Sequence, residues 1–123
     1  MRLLLDTHAL LWWHEGSLPA SVVSQIQAAD EVHVSAASAW EIAIKSALGK
    51  LRLSDSVADI AALYGFSPLP ISLPHCEVVA SLPRHHADPF DRMLIAQALA
   101  DGLTLVTKDK VIKRYPVPTL WAR

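Results

Sequence analysis

A single cysteine, Cys76, is all that the 123 residues hold, so neither an internal disulfide nor a zinc site built on cysteines can form. Its expected place is a helix core, where a free thiol behaves as a small hydrophobe. Long apolar runs are missing too: none approaches the ~20 residues that span a bilayer. The opening stretch meets Asp6 directly after Leu3, Leu4 and Leu5, too soon for the apolar region of a secretory leader. A cytoplasmic protein with no membrane contact is expected. Neither sign of charge is in excess. With a formal net charge of −1, a polyanionic substrate would have to be held by a local patch or a bound cation, not by bulk attraction. Repeats, low-complexity segments and linkers are absent, and the length suits one domain over residues 1–123.

Hydrophobic residues make up 52% of the chain, with a mean hydropathy of +0.29. That is enough for a real core, and rich enough to suggest a surface covered by a partner. Residues 2–6 read as a buried strand, followed by a short helix that Asp6 can cap. Residues 18–29 read as a helix with Pro19 near its start. Residues 32–35 form a second strand, and 37–48 a helix closed at Gly49. Ser54 or Ser56 caps a further helix that runs through Leu63 and Tyr64 to Gly65. Residues 66–71, broken by Pro68 and Pro70, suit an edge strand. Residues 74–82 give a short helix, and Asp88-Pro89 opens a stronger one that stops at Gly102. Residues 103–107 form a strand, and 117–121 a last edge strand. Strands alternating with helices predict a mainly parallel sheet covered on both faces.

Within that α/β frame four carboxylates draw together. Asp6 and Asp109 follow the apolar runs ending at Leu5 and Thr107, at the carboxyl ends of strands, where open parallel sheets place their ligand crevices. Glu41 and Asp91 fall on the helix stripes that face the sheet, with Ala37, Ile44 and Leu48 and with Leu94, Ile95 and Ala98 respectively. Two carboxylates at 4 Å repel by roughly 4 kcal/mol at an effective dielectric of 20. A hard divalent cation is the usual remedy, which points to metal-dependent chemistry on phosphate esters.

Each acid also has a plainer explanation. Asp6 and Asp88 are good helix caps, Asp88 with Pro89 at the first helical position. Glu41 could close a capping box with Ser38, or pair with Lys45 one turn on. Asp109 could be a turn residue. His85 and His86, being adjacent, suit a loop surface or a substrate contact better than a shared metal. Lys108, Lys110, Lys113 and Arg114 read as a solvated face that could also hold a phosphate backbone. Trp12, Trp13, Trp40 and Trp121 read as core or interface residues.

The motifs Leu4-Leu5-Asp6-Thr7-His8, Ser38-Ala39-Trp40-Glu41-Ile42-Ala43-Ile44-Lys45, Gly49-Lys50-Leu51, Asp88-Pro89-Phe90-Asp91-Arg92-Met93-Leu94-Ile95-Ala96-Gln97-Ala98 and Leu105-Val106-Thr107-Lys108-Asp109 resemble, in order and over nearly the whole chain, the PIN-domain nucleases and among them the VapC-type toxins. The resemblance implies a Rossmann-like, mainly parallel sheet of four to five strands with helices on both faces, and an acidic pocket for Mg²⁺ or Mn²⁺. Asp6, Glu41, Asp91 and Asp109 match the family's four acidic positions, and Asp88 is an extra acid. On this reading Asp6 and Asp91 hold the ion directly, while Glu41 and Asp109 act through water or a second ion. Thr7 and Thr107 would orient water, and Lys45, Arg92 or Lys108 would contact phosphates. The implied activity is hydrolysis of RNA, single-stranded or looped. The implied partners are a VapB-like antitoxin and a second copy of the chain, packed through an apolar helical face. Two other readings remain at this level: a non-catalytic α/β binding module, and a phospho-acceptor receiver-like domain. The latter fits poorly, since Asp6 has no acidic neighbour and the second strand ends in Ser35.

Overall fold

Three leucines between Arg2 and Asp6 form the innermost strand of the protein, all fully buried. In the computed structural model, which describes residues 1–122, this β1 (Arg2–Leu5) lies at the centre of a five-stranded sheet. The others are β2 (Glu31–Ser35), β3 (Ser67–Leu69), β4 (Thr104–Thr107) and β5 (Thr119–Trp121). The order is β3-β2-β1-β4-β5 and every pairing is parallel. Six helices cover it: α1 (Thr7–Glu15), α2 (Ala20–Ala28), α3 (Ala36–Ala47), α4 (Val57–Tyr64), α5 (Leu73–Ser81) and α6 (Pro89–Asp101). Alternate strand residues point to opposite faces. Leu3, Leu5, Val32, Val34 and Val106 therefore pack with Leu10, Val22, Ile26, Ile42 and Ile60 of α1 to α4. Leu4, Leu69 and Leu105 pack with Leu94, Ile95 and Ala98 of α6 and with Ile112 and Tyr115. No helix among the described residues is long and apolar enough to cross a membrane.

The element boundaries follow the chemistry of the caps. Ser35, not Ser38, caps α3: its hydroxyl accepts the Ala37 N–H at 2.9 Å. The capping box between Ser38 and Glu41 is therefore not formed. Pro19 takes the cap position ahead of α2 in an extended conformation, so that helix starts at Ala20. Ser56, rather than Ser54, caps α4. Cys76 departs from the sequence reading, since it is exposed. Helix α5 packs on α6 through Val78 and Val79 and buries only His75 fully, leaving Cys76 on its outer side.

One polar group crosses the second core. Gln97, fully buried, accepts the Ser35 hydroxyl at 2.5 Å and donates to the Pro70 carbonyl at 3.4 Å. His75 Nδ1 lies 3.5 Å from the same amide, and His75 Nε2 meets Asp101 at 3.1 Å. Satisfied polar groups in a core fix relative placement because any slip leaves them unpaired. Here the corner joining β2 to α3 is tied to α5 and α6, the last of which carries Asp91.

Candidate active site

Strands β1 and β4 end side by side, and the Asp6 N–H donates to the Val106 carbonyl at 3.0 Å. Asp6 is buried and caps α1, with Oδ1 accepting the Ala9 N–H at 2.7 Å. The Thr107 hydroxyl also bonds its carboxylate while accepting the Asp109 N–H at 3.0 Å. Burial nevertheless pushes the Asp6 carboxyl above its ordinary value, outweighing those two hydrogen bonds, and the nearby Asp109 charge adds to the rise. Asp6 is thus both a cap and a member of an acidic group.

Glu41 reaches the same end of the sheet from α3. The buried Thr7 hydroxyl, one residue past Asp6, lies 2.7 Å from Glu41 Oε1 and 3.0 Å from Ser38 Oγ. On the other oxygen, Lys45 Nζ donates at 2.6 Å. The hydrogen bond to Glu41 holds the lysine amine above its ordinary range against some burial, helped by the charges of Glu41, Asp88 and Asp91. Lys45 is therefore committed to Glu41, with its side chain still 43% exposed.

The Asp88–Asp91 doublet divides cleanly. Asp88 Oδ1 accepts the N–H groups of Phe90 at 2.8 Å and Asp91 at 3.1 Å, capping α6. Asp91, on the inward register of that helix, faces the other acids. Desolvation first, then the Asp88 charge, push its carboxyl up to about 7. Asp6 and Glu41 add to the rise and His86 opposes it. Crowding with the other acids is thus the main charge effect on Asp91.

His86, expected on a loop surface or against substrate, lies in that loop with its ring turned toward the acids. It stands between two of the acids, with Nε2 at 2.6 Å from Asp109 Oδ2 and 3.2 Å from Asp91 Oδ2. These three residues form the one metal-sized cluster of His, Cys, Asp and Glu found among the described residues. The other ring nitrogen decides its role. Nδ1 accepts the Asp88 N–H at 3.1 Å, so it carries no hydrogen and Nε2 must. In this arrangement the ring is a donor to the carboxylates, and the groups left to hold a cation are all oxygens, the donor type of hard divalent ions. No pattern in the sequence announces this, because the turn from His86 to Asp88 is what aims the ring inward. Tyr115 fixes the turn from outside: its hydroxyl accepts the N–H groups of His85 at 3.1 Å and His86 at 2.8 Å and donates to the Pro83 carbonyl.

The remaining cations divide by partner. The Arg92 guanidinium, expected on a phosphate, is occupied. It donates to the carbonyls of Pro83 at 2.8 Å, Val79 at 3.1 Å and Leu82 at 3.4 Å, and to Tyr115 Oη at 3.3 Å. It ties the end of α5 to α6. Arg92→Ala is expected to cost on the order of 2 kcal/mol, since hydrogen bonds to a charged group contribute about 1.5–3, seen as a melting temperature lower by about 5–10 °C. Lys108 Nζ lies 4.8 Å from the centroid of the Trp12 ring, and Lys113 Nζ lies 3.7 Å from that of Trp121. Of the tryptophans, Trp40 stays 60% exposed, its ring edge-on to Phe90.

Comparison with known proteins adds three findings. The sequence pattern of the PIN domain matches residues 3–118. Ribonuclease VapC22 of Mycobacterium tuberculosis is 32% identical over 130 residues, spanning 96% of this chain and 97% of that one. In three dimensions the chain superposes on a chain of the VapBC2 structure from Rickettsia felis bound to promoter DNA, with a TM-score of 0.75, 16% identity, and 98% and 99% of the two chains covered. A chain of the DNA-bound VapBC structure from Salmonella typhimurium gives 0.72 and 17%, with 98% and 97% covered. At these identities the two structures establish the fold alone.

Proposed function

The chain belongs to the PIN-domain family, and we propose that it is a metal-dependent endoribonuclease, a single domain that serves as the toxin of a toxin–antitoxin pair. The observation that carries this reading is the convergence of Asp6, Glu41, Asp91 and Asp109 from four separate elements on one end of the sheet, close enough for Asp91 to feel Asp6 and Glu41. The oxygen donors fit a hard divalent ion, Mg²⁺ or Mn²⁺.

Such an ion would supply activated water and would neutralise charge on the phosphate under attack. The protein's own groups divide the remaining work. Asp6 and Asp91 would hold the cation, and Glu41 and Asp109 would support it from either side. Thr7 fixes the rotamer of Glu41, and Thr107 links Asp6 to the backbone of Asp109. Lys45 balances the charge of Glu41. A pocket of this form admits single-stranded or looped RNA, whose backbone can be splayed against it, more readily than a paired groove. A VapB-like antitoxin would cover the site in the cytoplasm. A second copy would pack on exposed Trp40 and Ile44 of α3 and on Leu48, which caps it.

Purified protein incubated with single-stranded RNA is expected to cleave it with Mg²⁺ or Mn²⁺, to stop in EDTA and to resume when the ion is restored. Cleavage undiminished in EDTA would remove the metal mechanism. No cleavage, together with no heat on titration with Mn²⁺, would leave the acids as caps and the chain as a binding module.

A further inference from the structure

Beside the acidic group lies a cavity of about 490 Å³ lined by Arg84, His85, His86, Ala87 and Arg92. Its character is opposite to that of the acids, and His86 belongs to both. The ring that bridges Asp91 and Asp109 with Nε2 also forms part of the cavity wall, so one imidazole separates a place for a cation from a basic recess. Arg92 contributes stem and charge there, but its N–H groups serve the carbonyls of Val79, Leu82 and Pro83. The His85 ring stands edge-on to Tyr115 with centroids 5.2 Å apart, and its backbone N–H is held by the same hydroxyl. Arg84 is different. It is exposed and makes no hydrogen bond or ion pair among the described residues. Of the cations near the acids, Lys45 is bound to Glu41 and Lys108 lies over Trp12, whereas the Arg84 guanidinium in the cavity wall is unengaged.

We propose that this recess is a phosphate subsite, in which Arg84, with the His85 ring beside it, takes the RNA phosphate adjacent to the one that is cleaved. The inference rests on the ribonuclease reading and adds to it a second, anionic contact. Alternation of a cation position with a basic pocket matches a strand that carries one phosphate at each nucleotide. The planar guanidinium suits a phosphate's paired oxygens. Such a contact positions the backbone and reads no base, so it acts on binding and not on the chemical step.

The test uses the full chain and a fluorescent single-stranded RNA. In EDTA, binding by anisotropy across a salt series is expected to weaken about three- to tenfold in Arg84→Ala and further in Arg84→Glu, with recovery in Arg84→Lys. The slope of log affinity against log salt should fall by about 0.7, the value for one phosphate contact on a single strand. With Mg²⁺, KM should rise by the same factor and kcat should stay within about twofold. Replacing one phosphate next to the cleaved bond by neutral methylphosphonate, on either side in turn, should reproduce the loss in the unaltered protein. On the matching side it should have no added effect in Arg84→Ala, as expected of two halves of one contact. If the unaltered protein cleaves RNA while KM and salt slope are unchanged in both Arg84→Ala and Arg84→Glu, this inference fails alone. If the unaltered protein neither binds nor cleaves RNA, the ribonuclease reading fails with it. An effect of methylphosphonate that adds in full to Arg84→Ala on both sides also overturns the subsite.

Discussion

Asp6→Asn is expected to lower RNA cleavage by about a thousandfold or more while the protein melts no lower than before. Asparagine retains an oxygen for the Ala9 N–H, so the cap of α1 survives. The exchange removes only the negative charge of a carboxylate that is buried and held above its ordinary pKa. A cation position that loses a direct ligand forfeits several kcal/mol of charge stabilisation at the phosphate, about 1.4 for each factor of ten. Circular dichroism and thermal melting would check the fold, and a gel assay on single-stranded RNA the activity. Cleavage within tenfold of the unaltered protein would displace Asp6 from the reaction.

Asp91→Asn should combine loss of cleavage with a gain in stability that depends on pH. In the metal-free protein the folded state holds the Asp91 proton up to about 7, against an ordinary value of 3.8. The unfolded chain releases that proton at lower pH than the folded one. The stability linked to this group is therefore fully present below about pH 4 and is lost as pH rises through 7. Three units amount to about 4 kcal/mol as an upper bound. With 22% of the side chain exposed, solvent screening reduces this to the order of 2. In EDTA at pH 8 the variant should melt about 5–10 °C higher than the unaltered protein, the gap closing toward pH 4. Saturating Mn²⁺ should erase most of the decline in the unaltered protein. A variant that melts lower at every pH would mean that Asp91 is held by favourable contacts and not by crowding.

Much of the frame is legible because its signals are local. Leu3 to Leu5, the glycines at 65 and 102 and the Asp88-Pro89 start each state a strand, a helix end or a cap in a few residues. The convergence of the acids follows from the strand ends and, for Asp91, from the stripe of α6. On α3 the expected inward stripe fails, because Ile44 and Leu48 are exposed while Ala37, Glu41 and Ile42 are buried. What the string conceals is competition between partners distant in sequence. Glu41 could be assigned to Ser38, to Lys45 or to a cation. Thr7, 34 residues away, fixes one of its oxygens, and nothing near Glu41 reveals it. Arg92 sits in an acidic motif and invites a phosphate, yet carbonyls at the end of α5 take its N–H groups. Cys76 follows the general preference of thiols for the interior and fails because α5 covers α6 with a different side. His86 lies in its expected loop, but one backbone N–H and two carboxylates, none of them legible nearby, turn its ring inward.

Strand β1 pairs with β4 across about a hundred residues of chain, and that separation sets when the enzyme comes into being. A growing polypeptide presents Asp6 about a hundred residues before its neighbour Asp109. Until β4 docks, Asp6 lacks Thr107, and His86 has Asp91 but not Asp109 beside it. A site so arranged is incomplete until that pairing forms. Its hazard begins with the closing of the sheet, the stage at which an antitoxin would be needed.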